Sequence, residues 1–374
     1  MKIAKICSMN LIILLFSILF FSGCTIQDLP MPVSPFNRGI NIANALEAPH
    51  EGDWGVVIED WFFQEIKSRG FDCVRIPLGW AFHIIDEADA VIDPVFFNRV
   101  EHVINQAILN DLKVIISFHS FEEFYTNPVE NEQEFGRIWE RITSRFFALY
   151  PDKLFFELLN EPHDNLTVPL WNRIQLETIE KIRRLDEERW IILTGADWGK
   201  SNSLAGIDLP KNRYKLLATF HMYEPYLFTH QGVPWLGDAY STIGVSWPGP
   251  PSEYLEPSEK SLNYPETVKW FNDYNLYPYE FNPAGPLPIK NAMNMAMQWS
   301  KTSTIPIFMG EFGTYKFIDD DSRVNWTAFV NNVSEEMGIG WLYWDFSGNF
   351  GIFDEQTHTW NHRLLDALGL GSLN

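Results

Sequence analysis

Two glutamates, Glu161 and Glu311, each follow a strongly apolar run, LFFELLN at 154–160 and PIFMG at 306–310. A pair of carboxyl groups suits the cleavage of a glycosidic bond, because one group donates a proton and the other attacks or activates water. The donor must be protonated before cleavage, whereas a nucleophile must be ionised. We predict that Glu161 is the acid/base and Glu311 the nucleophile, with the carboxyl separation of about 5 to 5.5 Å that retention requires.

Further polar and aromatic residues lie within or at the ends of other apolar runs: Arg75, His119, Asn160, His221, Tyr223, Trp344. Arg75 has two interpretations, a structural ion pair inside the fold or a cation that keeps Glu311 ionised and oriented. The histidines have no third histidine or cysteine at ligand spacing, so we predict neither a metal site nor a cofactor.

Eight short apolar runs must position these side chains, and most intervals between them suit a helix and two loops. Such alternation predicts a parallel sheet, and eight strands predict a (β/α)8 TIM barrel with the polar residues at the carboxyl ends of the strands. The eight runs are 38–44, 74–80, 113–119, 154–162, 190–195, 216–223, 306–313 and 340–346. Helices are expected at 59–69, from Pro94 onward, and at 131–149, 169–187, 289–301, 322–336 and 361–369.

Two intervals depart from this rhythm. The interval between the fifth and sixth runs has little room for a full helix. The interval of roughly 224–288, after the sixth run, is rich in Pro, Tyr, Trp and Gly. Because structureless loops of this length are rare in compact domains, we predict a folded excursion that walls the cleft.

The first 24 residues predict an export signal, since Lys2 and Lys5 precede an apolar run at 11–21 and small residues follow it. The string FSGC at 21–24 resembles a bacterial lipobox, which predicts an outer-membrane or periplasmic lipoprotein anchored at Cys24, with plain secretion as the alternative. We expect a linker at 25–37 and a single catalytic domain at 38–374. Cys73 is then the one cysteine of the folded part, and we predict a buried, inert thiol.

The net charge and the aromatic content of the chain limit the classes of molecule that it is expected to bind. The net charge is −21, and removing the two signal lysines gives −23, which disfavours nucleic acid and anionic lipid headgroups. The 15 Trp, 13 Tyr and 29 Phe exceed what a core needs, and sugar rings stack on aromatic faces. We therefore expect a neutral polysaccharide or oligosaccharide as the partner. We also expect a monomer.

The site residues, in chain order, resemble the eight characteristic positions of family 5 glycoside hydrolases, the cellulase family: Arg75, His119, Asn160, Glu161, His221, Tyr223, Glu311, Trp344. The strings NEP at 160–162, HMY at 221–223 and GEFG at 310–313 stand in their family contexts, and the resemblance runs from about 38 to 355. It implies a retaining endo-β-1,4-glucanase. Activity on β-mannan or another β-glucan remains an alternative, and so does a non-catalytic carbohydrate-binding lipoprotein.

The resemblance also implies roles for individual residues. Asn160 would bind the sugar 2-hydroxyl, His221 would tune Glu161, and Tyr223 would tune Glu311. Trp344 would form the floor of the subsite for the sugar whose bond is cleaved.

The stretches at 39–55 and 224–232 are similar to a bacterial endoglucanase branch, some of whose members also act on mannan. There Asn44, Glu47 and Trp235 would line the cleft. Trp80, Trp198 and Trp235 are each either a sugar platform or loop packing. Ser120 replaces the second of two histidines that are common in this branch, which leaves glucan against mannan preference open.

Overall fold

A closed eight-stranded parallel barrel forms the centre of the protein, in a computed structural model that describes residues 29–119 and 121–371. The first strand pairs with both the second and the eighth, and every other strand pairs with its neighbours in chain order. The predicted TIM barrel is confirmed. Its strands are β1 (Arg38–Asn41), β2 (Cys73–Leu78), β3 (Lys113–Phe118), β4 (Leu154–Glu157), β5 (Trp190–Thr194), β6 (Leu216–His221), β7 (Ile307–Phe312) and β8 (Gly340–Tyr343).

The helices surround this barrel, and each predicted segment contains one. The second helix begins as expected, because Asp93 accepts a hydrogen bond from the Val95 N–H at 2.8 Å and Pro94 occupies the first turn. The helices are α1 (Trp61–Ser68), α2 (Pro94–Leu109), α3 (Glu122–Thr126), α4 (Pro128–Arg145), α5 (Val168–Leu185), α6 (Tyr226–Thr229), α7 (Pro265–Leu276), α8 (Pro286–Ser303), α9 (Asp320–Met337) and α10 (His362–Ala367).

Short elements complete the described part. Two small antiparallel hairpins pair Ile84–Asp86 with Val91–Ile92 and Phe353–Asp354 with Thr359–Trp360. The connection from β5 to β6 contains only the 3₁₀ helix Ser201–Gly206, as its length predicted. Further 3₁₀ helices lie at Trp80–His83, Asp238–Tyr240 and Ser261–Asn263.

The excursion after β6 is folded, but only its first part walls the cleft. Tyr226 and Tyr240 line the cleft, whereas Trp247 is buried against Phe329 of α9, and the main-chain N–H of Trp247 donates to the Ser322 hydroxyl at 3.1 Å. The later part therefore packs on the outside of the barrel and includes the unpredicted helix α7.

Side chains fill the barrel in layers. At the amino-terminal end, Phe36 plugs the interior with its ring edge-on to Phe155 and Phe308, at centroid distances of 5.4 and 4.9 Å. Cys73 belongs to this apolar layer, so its predicted burial is confirmed, and burial raises the pKa of its thiol. The layer above it is polar.

The N-terminal predictions fall largely outside this structure. The expected signal at 1–24, with Cys24, lies outside the described residues, and so does part of the linker. Among residues 29–119 and 121–371, no helix has both the length and the apolar character needed to cross a membrane.

Candidate active site

A buried arginine organises the polar layer of the barrel. Arg75, on β2, donates from Nε and Nη2 to the two carboxylate oxygens of Glu157 at 2.7 and 2.6 Å. Its Nη1 donates to Glu311 Oε1 at 2.7 Å and to Asn41 at 3.0 Å, and Nη2 also reaches Asn160 Oδ1 at 2.8 Å. Arg75 therefore forms a buried ion pair with Glu157 and a second ion pair with Glu311.

Glu311 lies near the carboxyl end of β7 with 4% of its surface exposed. Its second oxygen accepts a hydrogen bond from the Tyr223 hydroxyl at 2.9 Å. Burial and the charge of Glu311 raise the pKa of Tyr223 well above its ordinary value, so the hydroxyl keeps its proton and remains a donor. One oxygen of Glu311 thus faces a guanidinium N–H and the other a phenol.

Glu161 stands across the cleft, at the carboxyl end of the β4 strand region, with 18% of its side chain exposed. Its Oε1 lies 2.6 Å from His221 Nδ1. One carboxylate oxygen of Glu161, one of Glu311 and a ring nitrogen of His221 lie within 4.8 Å of one another. Three such atoms could bind a cation. Here, however, Glu161 is hydrogen-bonded to His221, and Glu311 is hydrogen-bonded to Arg75 and Tyr223.

The two carboxyl groups control the charge of His221. Burial favours its neutral form, yet Glu311 and Glu161 outweigh burial and raise the pKa of His221 above its ordinary value. His119 behaves in the opposite way, because burial and the neighbouring charge of Arg75 lower its pKa well below the ordinary value. His119 is therefore neutral, and its ring is stacked near Trp344 with centroids 6.1 Å apart.

All the predicted site residues except Arg75 line one open cleft, together with Glu47, Trp54 and Tyr226. Asn44, His119, Asn160 and Trp344 line a cavity of about 730 Å³ that also contains both catalytic candidates. A smaller adjoining cavity holds His221, Tyr223 and Trp198 beside Glu161. Trp198 and Trp235 are 45% and 55% exposed, so their rings are accessible from the cleft.

Trp80 differs from the other two tryptophans. It is fully buried, with its ring edge-on to Phe96 at 5.3 Å and tilted against Phe97 at 5.4 Å. Of its two interpretations, loop packing is the one that the structure bears out.

Two features of the site were not predicted from the sequence. Glu157 is the bidentate partner of Arg75, and the signal for it was a lone charged residue inside the apolar string LFFE. Asp345 is fully buried beside the cleft and accepts a hydrogen bond from Asn44 at 3.0 Å. An acid that directly follows the site tryptophan in the sequence gave little indication of this contact.

Comparison with known proteins bears on the whole barrel. A family model described as cellulase (glycosyl hydrolase family 5) matches residues 36–350. Endoglucanase H of Acetivibrio thermocellus is 29% identical over 352 residues, which cover 91% of this chain and 34% of that protein. The cellulase/esterase CelE of the same organism is 30% identical, over 87% of this chain and 37% of its own length. The chain thus spans little more than a third of these two relatives.

Solved structures are also similar. Thermotoga maritima Cel5A in complex with cellobiose has a TM-score of 0.77 and 38% identity, covering 89% of this chain and 97% of that one. Cel5A has also been solved with a mannotriose substrate, with the same identity and coverage.

Proposed function

Because this chain belongs to the cellulase family, glycosyl hydrolase family 5, we propose that it is a retaining endo-β-1,4-glucanase that hydrolyses internal β-1,4-glucosidic bonds. The observation that carries the proposal is the approach of the Glu161 and Glu311 carboxylates to within 4.8 Å across the cleft. A retaining enzyme holds the two groups about 5 to 5.5 Å apart, whereas an inverting enzyme needs roughly 6.5 to 9.5 Å to admit water.

The chemistry proceeds in two displacements. Glu311 attacks the anomeric carbon while Glu161 gives its proton to the glycosidic oxygen, so the C–O bond breaks and a covalent glycosyl–Glu311 ester forms. Glu161, now ionised, removes a proton from water, and the resulting hydroxide attacks the same carbon. The ester bond then breaks, which restores both glutamates and releases the sugar with its original configuration.

The neighbouring side chains support these steps. Arg75 and Tyr223 hold the Glu311 carboxylate in position for attack by hydrogen bonds to its two oxygens. The side-chain oxygen Oδ1 of Asn160 accepts from Arg75, which orients the side-chain N–H groups of Asn160 to donate to the sugar 2-hydroxyl. Trp344 forms the floor under the reacting sugar.

Asn44, Trp198 and Trp235 bind sugar units farther along the cleft. The exposed tryptophan rings offer apolar faces on which such units stack, and Asn44 offers its side-chain amide.

A second candidate substrate is β-mannan. Cel5A, at 38% identity, has been solved with both cellobiose and mannotriose. Rates on carboxymethyl cellulose, glucomannan and laminarin separate these possibilities, and a strong preference for mannan would overturn the glucanase assignment. Ser120, at the position where the branch often has a second histidine, is the first residue to vary if mannan is preferred.

The decisive test follows products from barley β-glucan and glucomannan, recording anomeric configuration and oligosaccharide length over time. Mixed oligosaccharides that appear early in the β-configuration support endo-acting retention, and no release from either polymer would favour a carbohydrate-binding protein. Glu311→Ala should abolish hydrolysis and keep binding, whereas Glu161→Ala should still cleave aryl glycosides whose leaving groups need little protonation. Near-normal turnover by Glu311→Ala would refute the nucleophile assignment.

We also propose that the protein is exported as a monomer and anchored through a lipid on Cys24. The support is the charged start, apolar run and FSGC string of residues 1–24. Labelling of expressing bacteria with a radioactive fatty acid should mark the wild type and not Cys24→Ala. Release of unlabelled wild-type protein into the medium would indicate plain secretion instead.

A further inference from the structure

Three aromatic residues form a continuous stack beside the acid/base. The rings of Tyr125 and His163 have centroids 4.1 Å apart, and those of His163 and Trp198 are 3.7 Å apart and inclined by only 11°. Tyr125 is buried, His163 is mostly covered, and Trp198 is 45% exposed. Trp198 also lines the cavity next to Glu161. One face of Trp198 therefore packs on the protein while the ring remains accessible from the cleft.

Each residue of this stack also donates a hydrogen bond to the main chain that carries Glu161. The donors are the Tyr125 hydroxyl, His163 Nδ1 and the Trp198 main-chain N–H. They reach, in this order and at 2.9, 2.5 and 3.2 Å, the carbonyl oxygens of three consecutive residues: Asn160, Glu161, Pro162. Because a carbonyl oxygen only accepts, His163 Nδ1 must carry a proton.

The main chain at Glu161 needs this support. The backbone angle φ of Glu161 is +44°, in the left-handed region. Residues other than glycine rarely adopt it, because the Cβ atom is crowded by the backbone there. The conformation persists only where surrounding contacts hold it. Three successive carbonyls bound by one stack of rings are such contacts, and they fix the direction in which the Glu161 side chain leaves the backbone.

We propose that the Tyr125–His163–Trp198 stack couples binding of the leaving group to acid catalysis, with His163 as a positioning residue for Glu161. This inference rests on the proposed function, in which Glu161 protonates the glycosidic oxygen. The sugar beyond that oxygen must lie on the Glu161 side of the cleft, where Trp198, Tyr226 and Tyr240 form aromatic walls. A sugar ring that stacks on Trp198 therefore packs on the same stack that holds the main chain of Glu161.

Two substitutions separate the two contributions of His163. His163→Phe keeps a ring for the stack but removes the donor to the Glu161 carbonyl. His163→Asn keeps an amide N–H near the position of Nδ1 but removes the ring. The readout is kcat/KM on two substrates with the same cellobiosyl glycone, 2,4-dinitrophenyl β-cellobioside and cellotetraose. Only the second needs a proton for its leaving group to depart.

We expect His163→Phe to lose about 10- to 100-fold in kcat/KM on cellotetraose, the range that follows from misplacing a catalytic group by a fraction of an ångström to 1 Å. Its kcat/KM on the dinitrophenyl substrate should change little, and His163→Asn should recover part of the loss on cellotetraose. An equal loss on both substrates would indicate general damage and overturn the inference, as would no loss on cellotetraose.

A control and a double variant sharpen the test. His83 stacks on Phe96 with centroids 3.6 Å apart and an 11° inclination, outside the cleft lining, so His83→Phe is a matched control that should leave the rate ratio unchanged. If Trp198 acts through His163, the losses of Trp198→Ala and His163→Phe on cellotetraose should not add in the double variant. Additive losses would overturn the coupling. Wild-type protein that cleaves neither substrate would refute the proposed function itself.

Discussion

Two buried carboxyl groups beside the cleft make the stability of this protein depend on pH. Asp345 is fully buried and Glu47 is 3% exposed, and Asn44 bridges them by donating its side-chain amide to Asp345 and its main-chain N–H to Glu47. Burial raises the pKa of Asp345 from 3.8 to about 7, and the charge of Glu47 adds to that shift. Burial likewise raises the pKa of Glu47 from 4.5 to about 7.

These shifts set the sign and the size of the effect. Between about pH 4 and 7 the folded protein retains protons that the unfolded chain releases, so the free energy of unfolding falls as the pH rises through that window. A shift from 3.8 to about 7, at 1.36 kcal/mol per pH unit, corresponds to about 4 kcal/mol for Asp345 alone. The contribution is fully present below pH 4 and is lost by about pH 7.

Urea denaturation of wild type and Asp345→Asn between pH 4 and 8 measures this contribution as a difference between two curves. Asparagine cannot ionise, and Asn44 can rotate its amide to accept from it, so the variant should become more stable relative to wild type by about 4 kcal/mol as the pH rises from 4 to 7. Asp354→Asn is the control, because Asp354 is exposed and hydrogen bonds from the Thr357 and Gln356 N–H groups lower its pKa. Parallel wild-type and Asp345→Asn curves would refute the reasoning.

Three further substitutions test other contacts. Tyr223→Phe removes a donor to the Glu311 carboxylate, so kcat/KM on β-glucan should fall by about 10- to 100-fold with little change in folding; an unchanged rate would contradict the role. Arg75→Lys cannot reproduce the bidentate contact with Glu157, so the free energy of unfolding in urea should fall by about 3 to 5 kcal/mol. A fall below about 1 kcal/mol would show that this ion pair contributes little to stability. Trp235→Ala should raise KM for long substrates about 2- to 10-fold at constant kcat, whereas an equal fall in kcat would show that the ring acts on the transition state.

The barrel could be predicted because each strand is buried on both faces. A buried parallel strand must be apolar almost throughout, so runs such as KVIISF at 113–118 stand out without knowledge of their partners. The carboxyl ends of all eight strands lie at one end of the barrel. The positions of Glu161, His221 and Glu311 near those ends therefore predicted that the three side chains lie close together. The family resemblance supplied the roles proposed for Asn160, His221, Tyr223 and Trp344.

The excursion after β6 could not be predicted in the same way. Helix α7 has a weak apolar pattern, and its stability depends on contacts such as that of Tyr274 with Ser246, which are distant in sequence. The burial of Trp80 could not be predicted either. The sequence of a tryptophan at a strand end does not show whether its ring contacts a sugar or, as here, Phe96. Burial of this kind is decided by tertiary contacts.

Glu157 determines which part of the Arg75 guanidinium is left for Glu311, the proposed nucleophile. A guanidinium that bound Glu311 with its full fork would occupy both carboxylate oxygens and oppose the motion of either toward the anomeric carbon. Glu157 occupies that fork instead, through Nε and Nη2 of Arg75, and leaves a single Nη1 bond for Glu311. The Glu311 carboxylate is thus aligned by one guanidinium N–H, and its second oxygen accepts a hydrogen bond from the Tyr223 hydroxyl. The fully buried Glu157 therefore limits Arg75 to a single hydrogen bond with the carboxylate proposed to react.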